Sequence, residues 1–111
     1  MYCKKKETMK NDYRNIPVQK VIDFAESANF SRLVRAKRNI EEYMYKCDYS
    51  AENLTTEILA PYTNLYAQRR LVKAKLIILE ERGAAYEFLT IIKKEIDTRM
   101  QAYEAERRST R

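Results

Sequence analysis

The sequence predicts an all-α fold, a small helical bundle of four to five helices, and three observations predict it. The 111 residues include one glycine and two prolines, too few for the turns that a sheet protein needs. Charged residues make up 34% and hydrophobic residues 45% of the chain, which is typical of helices with ion-paired outer faces around a core. Apolar residues also recur every three to four positions through most of the chain, the period of an amphipathic helix.

The chain begins with a polar, lysine-rich stretch. Residues 1–14 include Lys4, Lys5 and Lys6, so we expect a flexible basic arm, followed by a single helical domain over residues 15–111. Met9 is a second candidate for the start of the protein, because nothing before it has a structural pattern. The chain has neither a signal-peptide pattern nor an apolar run of membrane-spanning length, so we expect a cytoplasmic protein, in the host cytoplasm if it is viral.

Three helices are predicted in the N-terminal half. The first occupies roughly residues 15–28, and the second runs from about residue 31 to residue 47, each with apolar residues at helical spacing. Asp48-Tyr49-Ser50 has the composition of a turn. A short third helix is expected to follow this turn. Pro61 then stops this helix, kinks it or opens the next helix from its first turn.

From Tyr62 the helical pattern continues almost to the C-terminus. Gly83 either opens a helical hairpin or lies within one long helix. No capping residue follows Gly83, and apolar residues keep a seven-residue spacing straight through it. These residues are Leu71, Ile78, Ala85 and Ile92. We therefore favour one long C-terminal helix, since a glycine inside a helix costs only about 1 kcal/mol.

The long helix carries two apolar stripes near its start. One stripe consists of Ala67, Leu71, Ala74 and Ile78, and the other of Leu65, Val72, Leu76 and Leu79. A surface helix needs only one apolar stripe. We therefore expect one neighbour on Leu71 and Ile78, and another on Val72, Leu76 and Leu79. The neighbours are either other helices of this chain or a second copy, so a homo-oligomer with a coiled-coil contact through this helix is one expectation.

Catalytic chemistry is not predicted. The chain contains no histidine and no glycine-rich phosphate loop, and Cys3 and Cys47 do not have the spacing of metal ligands. The adjacent carboxylates Glu41-Glu42 and Glu80-Glu81 point about 100° apart on a helix and cannot face one substrate together. We therefore predict a protein that is not an enzyme, with no catalytic residues, no cofactor and no metal.

The candidate binding site is a group of tyrosines and cations at the start of the long helix, which we call the basic-aromatic strip. It consists of Tyr62, Tyr66, Arg69, Arg70 and Lys73. Spacings of four and three residues place all of them except Arg70, which lies beside them, on one side of a helix. Rings beside cations occur at protein-binding hot spots and at sites that stack nucleic-acid bases. In the simplest alternative, the tyrosines pack against neighbouring helices beneath the arginine stems.

We expect a non-enzymatic protein–protein interaction module, such as an adaptor, an inhibitor or an assembly component, that docks an acidic partner through the basic-aromatic strip. The net charge of +6 suits such a partner. The alternative is a nucleic-acid-binding protein that uses the strip together with Lys4, Lys5 and Lys6. Small, basic, all-helical proteins are frequent among phage and mobile-element products, which is one origin that fits the composition.

Overall fold

The computed structural model describes residues 13–109 and is helical throughout. A 3₁₀ turn, Tyr13–Asn15, precedes three α-helices, which are α1 (Val18–Ser27), α2 (Phe30–Leu59) and α3 (Leu65–Ser109). The all-α prediction is confirmed, but the described residues form three helices where four to five were predicted. Between Tyr13 and Ser109, no helix has the length and the apolar character that crossing a membrane requires.

Helix α2 contains the first departure from the prediction. The turn expected at Asp48-Tyr49-Ser50 is wrong, because α2 continues through these residues without a break. Cys47 and Ala51, four residues apart, are both buried, and Asp48 forms an ion pair with Arg82 of α3. Burial on one side of a regular helix, with no proline or glycine to interrupt it, outweighs the local turn composition.

The chain reverses direction at residues 60–64, between α2 and α3. The side chain of Asn64 accepts a hydrogen bond of 2.8 Å from the backbone N–H of Ala67 and so caps α3. The Thr63 hydroxyl donates to the Glu57 carbonyl at 2.7 Å, which closes the end of α2. Tyr62 therefore lies in this turn and not on the long helix, where the sequence pattern had placed it.

Helix α3 runs unbroken through Gly83, so the prediction of one long C-terminal helix is confirmed. Its 45 residues correspond to a length of about 67 Å, close to the 69 Å long axis of the molecule. Gly83 has a negative φ, and a Cβ atom added to it would meet nothing within 4 Å. No feature of the single described chain therefore requires glycine at this position.

Helices α2 and α3 pack antiparallel along their lengths. The Tyr43 hydroxyl donates to the Glu81 carboxylate at 3.0 Å, and nearer the turn the Gln68 side chain donates to the Ile58 carbonyl at 3.0 Å. Burial, and then the hydrogen bond to Glu81, raise the pKa of Tyr43 above its ordinary value. The hydroxyl therefore remains protonated and available as the donor at neutral pH.

The core lies at the end of this helical pair where the N-terminal residues cover it. Leu33 is 0% and Phe88 3% exposed, and the Tyr13 ring lies 5.8 Å from the Phe88 ring. The other buried core residues are Val21, Ala25, Ala28, Ile40, Met44, Ala85, Leu89, Ile92 and Ile96. Toward the turn, no residue from Glu52 to Ala84 is fully buried, so this half is a two-helix layer open on its outer sides.

Side chains of α3 hold the N-terminal elements in place. The Arg99 guanidinium donates to the carbonyls of Ala25 at 2.9 Å and Glu26 at 3.2 Å, at the C-terminal end of α1. A cation there satisfies carbonyls that have no partner within the helix and complements the helix dipole. Arg14 lies 3.4 Å from the carboxylate of Glu81. Arg14 thus packs with the helices, although the sequence assigned it to the arm.

Candidate functional site

Helix α3 has one side that packs on α2 and one side that does not. Leu71 and Ile78 are half-buried and lie on the same side as Gln68 and Arg82, which contact α2 directly. This is the neighbour expected for the first apolar stripe. The opposite side of α3 faces away from α2, and no described element lies against it.

The uncovered side carries a row of apolar residues that we call the outer seam. It consists of Leu65, Val72, Leu76, Leu79, Gly83 and Tyr86, and all of them are exposed. Leu76, at the middle of the row, is 55% exposed. The expectation that another helix of this chain covers Val72, Leu76 and Leu79 is therefore wrong for residues 13–109. The alternative that the sequence left open, a second copy, stays a prediction.

The basic-aromatic strip lies at the turn end of the same helix. Tyr66, Arg69, Arg70 and Lys73 are exposed on the first turns of α3. The Arg70 guanidinium lies 5.9 Å from the centre of the Tyr66 ring, in cation–π range. Tyr62 is 84% exposed in the turn. The tyrosines therefore do not pack under neighbouring helices, which was the simplest alternative.

The strip divides between two neighbouring surfaces. Tyr62 and Arg70 line an open hollow of about 490 Å³ at the end of the α2–α3 pair. Arg69 lies on the side of the outer seam, since it follows Leu65 by four residues and precedes Val72 by three. The structure thus joins cations, exposed rings and exposed aliphatic side chains in one continuous area.

Charge is distributed unevenly along α3. From Leu65 to Leu79 the helix carries four cations and no carboxylate, and the next eight residues, Glu80–Glu87, carry three carboxylates and one arginine. Arg69 and Lys73 form no ion pair with any residue between Tyr13 and Ser109. The turn end of α3 therefore presents uncompensated positive charge, and the carboxylates that follow along the helix are partly compensated, because Arg14 lies 3.4 Å from both Glu80 and Glu81.

The described residues offer binding contacts and few reactive groups. Burial raises the pKa of the Cys47 thiol, which disfavours the thiolate that a nucleophile requires. No group of three or more cysteines and carboxylates in residues 13–109 is arranged to hold a metal ion. Lys4, Lys5 and Lys6, predicted to assist binding, lie outside the described residues.

Two members of the outer seam were not recognised from the sequence, Gly83 and Tyr86. The signal for them is present, because spacings of four and three residues continue from Leu76 through Leu79 and Gly83 to Tyr86. Gly83 was weighed only as a bend or a turn. The predicted second stripe ends at Leu79 and therefore does not include Tyr86.

No protein-family model, no curated protein and no solved structure matches this chain.

Proposed function

We propose that this chain is a non-enzymatic helical interaction module that docks an acidic protein partner on the first half of α3. The observation that carries the proposal is the junction of the basic-aromatic strip with the outer seam. Arg69 and Lys73 lack counter-ions among the described residues, and they border leucines that no described element covers. Exposed tyrosine and arginine side chains are typical of a protein-binding hot spot, and a contiguous exposed apolar patch marks an interaction surface.

The chemistry of this patch defines the partner. Leucine and valine side chains three and four residues apart match the apolar stripe of another amphipathic helix. Cations along the edge of that stripe favour a partner helix with carboxylates at its flanks. The module would therefore act as an adaptor, an inhibitor or an assembly component, according to which acidic helix it binds. A cytoplasmic location belongs to the same proposal, since the buried free thiol of Cys47 suits a reducing compartment.

Nucleic-acid binding is the second candidate, and the geometry of Arg70 over the Tyr66 ring favours it. A cation for the phosphate beside a ring for the base is the arrangement used on single strands. The outer seam argues against it, because a nucleic acid would leave these aliphatic side chains exposed to water. A phosphate-driven interaction would also weaken steeply between about 50 mM and about 200 mM salt.

The proposal is tested with a fluorescent peptide designed as an acidic amphipathic helix, with leucine at heptad spacing and glutamate at its flanks. We expect the double substitution Arg70→Glu and Lys73→Glu to weaken binding of this peptide by at least about tenfold. The matched control is Lys93→Glu with Lys94→Glu, which reverses two exposed lysines of α3 outside the strip. We expect this control to weaken binding of the peptide by less than about threefold, since it changes the net charge of the protein but not the strip.

Fluorescence anisotropy titrations of both variants and of the native chain provide the measurement, with a labelled single-stranded oligonucleotide as a parallel probe. Equal losses for the two double variants would show that only net charge matters, and would contradict docking at the strip. Binding of the oligonucleotide with a steep salt dependence, and no binding of the peptide, would replace the proposal by the nucleic-acid alternative.

A further inference from the structure

We propose that the partner is a second copy of this chain, docked antiparallel along the outer seam of α3, with the acidic segment Glu80–Glu87 of each copy beside the basic start of the other α3. This inference rests on the proposed function, because it identifies the partner of that same surface. It is carried by three observations, which are the regular spacing of the seam, the reversal of charge along α3 and the position of the only glycine.

The outer seam has the spacing of a coiled-coil contact. From Leu65 to Thr90, positions four and three residues apart alternate on the side of α3 opposite α2. The six residues of the outer seam occupy six of these positions, and Arg69 and Thr90 occupy the other two. The row extends for about 38 Å and nearly four heptads, the length at which this pattern predicts a helix–helix contact.

The charge pattern selects the orientation of the two helices. The first part of α3, to Leu79, is basic, and the part from Glu80 to Glu87 is acidic. An antiparallel pair of α3 helices places the basic part of each copy beside the acidic part of the other. Lys73, which has no counter-ion among the described residues, then lies next to Glu80 of the second copy, whose carboxylate also lies 3.4 Å from Arg14 of its own chain.

One antiparallel register also matches the sizes of the facing side chains. When Leu76 faces Leu79 of the second copy, Val72 faces Gly83 of that copy. In the same register Arg69 faces the Tyr86 ring, which gives the guanidinium a cation–π partner. A twofold axis repeats each contact, so the surface is complementary to itself.

The third observation is Gly83, because nothing in a single chain requires glycine at this position of α3. Glycine weakens a helix interior relative to alanine, yet Gly83 has a helical φ and free space beside it. A close approach of Val72 from a second copy supplies the missing reason for a residue without a side chain. Because Gly83 is exposed and an added Cβ atom meets nothing within 4 Å, we expect a larger residue there to leave the fold of one chain intact, which makes Gly83 a sharp test.

The experiment measures the mass of the native chain and of two variants by sedimentation over a wide concentration range. The native mass is expected to rise from 13.3 kDa to twice that value. Gly83→Leu is expected to raise the dissociation constant of the dimer by at least about tenfold, since overpacking an interface is destabilising, with no loss of helical circular dichroism. Ala102→Leu is the matched control, a small-to-large change at an exposed position of α3 beyond the seam.

Disulfide trapping determines the orientation, in a background in which Cys3→Ser removes one native thiol and the other, Cys47, is buried. Leu65→Cys combined with Thr90→Cys is expected to form covalent dimers on mild oxidation. Leu65→Cys alone is expected to form none, because in this register the two copies of residue 65 lie about 38 Å apart along the axis. Efficient trapping of Leu65→Cys alone would show a parallel pair and overturn the inference.

A native chain that stays monomeric throughout the range, or Gly83→Leu dimers as stable as native ones, would also overturn it. Neither of these two results bears on the binding of the acidic peptide, so the proposed function can stand when this inference fails. Conversely, equal peptide binding by the charge-reversed variants and the control would refute the proposed function even in a protein that dimerises.

Discussion

Replacing Phe88 with alanine is expected to lower the free energy of unfolding by about 3–5 kcal/mol. Phe88 is almost completely buried, and its ring meets that of Tyr13 edge to face. The substitution removes a large apolar side chain from the place where the N-terminal turn and the helices meet. Because a domain of this size is stable by about 5–15 kcal/mol, this single change would remove much of its stability.

Urea denaturation followed by circular dichroism measures the effect. Phe30→Ala is the matched control, since it removes the same side chain from a position that is 44% exposed at the start of α2. We expect the control to cost less than about 1 kcal/mol, the range of surface substitutions. Similar losses for both variants would mean that the core does not lie at the covered end of the α2–α3 pair.

Tyr49→Pro is expected to destabilise the protein by about 3 kcal/mol or more. Tyr49 lies in the middle of the unbroken α2, where proline removes a backbone hydrogen bond and clashes with the preceding turn of the helix. The Tyr49 side chain is exposed, so Tyr49→Ala should change the free energy of unfolding very little. The difference between Tyr49→Pro and Tyr49→Ala then measures the effect of proline on the backbone. If a turn were present at Asp48-Tyr49-Ser50, proline would be tolerated there.

Thermal unfolding of the two variants gives this comparison. A second control, Phe30→Pro, places proline at the first position of α2, after an Asn29 that is already extended. Proline is accepted at that position of a helix. If Tyr49→Pro lowered the unfolding temperature as little as Phe30→Pro does, a continuous α2 would be contradicted.

Helical periodicity made the class of the fold and the continuity of α3 predictable. It failed at residues 48–50 because turn composition was weighed above the spacing of the core residues. Cys47, Ala51, Leu54 and Ile58 are four, three and four residues apart, so the apolar stripe of α2 passes straight through the proposed turn. The preference of Asp and Ser for turns is small beside the burial of a continuous stripe.

The hairpin between α2 and α3 was only partly predictable. The sequence left open whether Pro61 stops a helix, kinks it or opens the next one, and it did not identify Asn64 as the cap of α3. Recognising Asn64 would have moved Tyr62 off the helix. The position of α1 was out of reach, because it depends on Arg99 reaching the Ala25 carbonyl 74 residues earlier in the chain. Local patterns carry no information about such a contact.

The sequence predicted which residues form the candidate site, and it did not predict what surrounds them. Spacing placed Tyr66, Arg69 and Lys73 on one side of α3, and the structure shows them exposed. Spacing also showed two apolar stripes. It does not show which stripe the chain itself covers, because that depends on where α2 and α1 end.

Helix α3 is one unbroken helix, and its outer seam is exposed along the side that faces away from α2. A hairpin at Gly83 would instead bring the two halves of the seam together. Tyr66 and Met100 are both exposed and lie at equal distances in sequence on either side of Gly83. Spin labels at Tyr66→Cys and Met100→Cys, in a chain carrying Cys3→Ser and Cys47→Ala, therefore distinguish the two arrangements. Dilution with unlabelled chain removes distances between copies.

Pulsed electron paramagnetic resonance should give a single distance between the two labels near 51 Å, the length of 34 residues of helix at about 1.5 Å each. A distance of about 10–20 Å, the separation of two packed helices with their labels, would contradict the account.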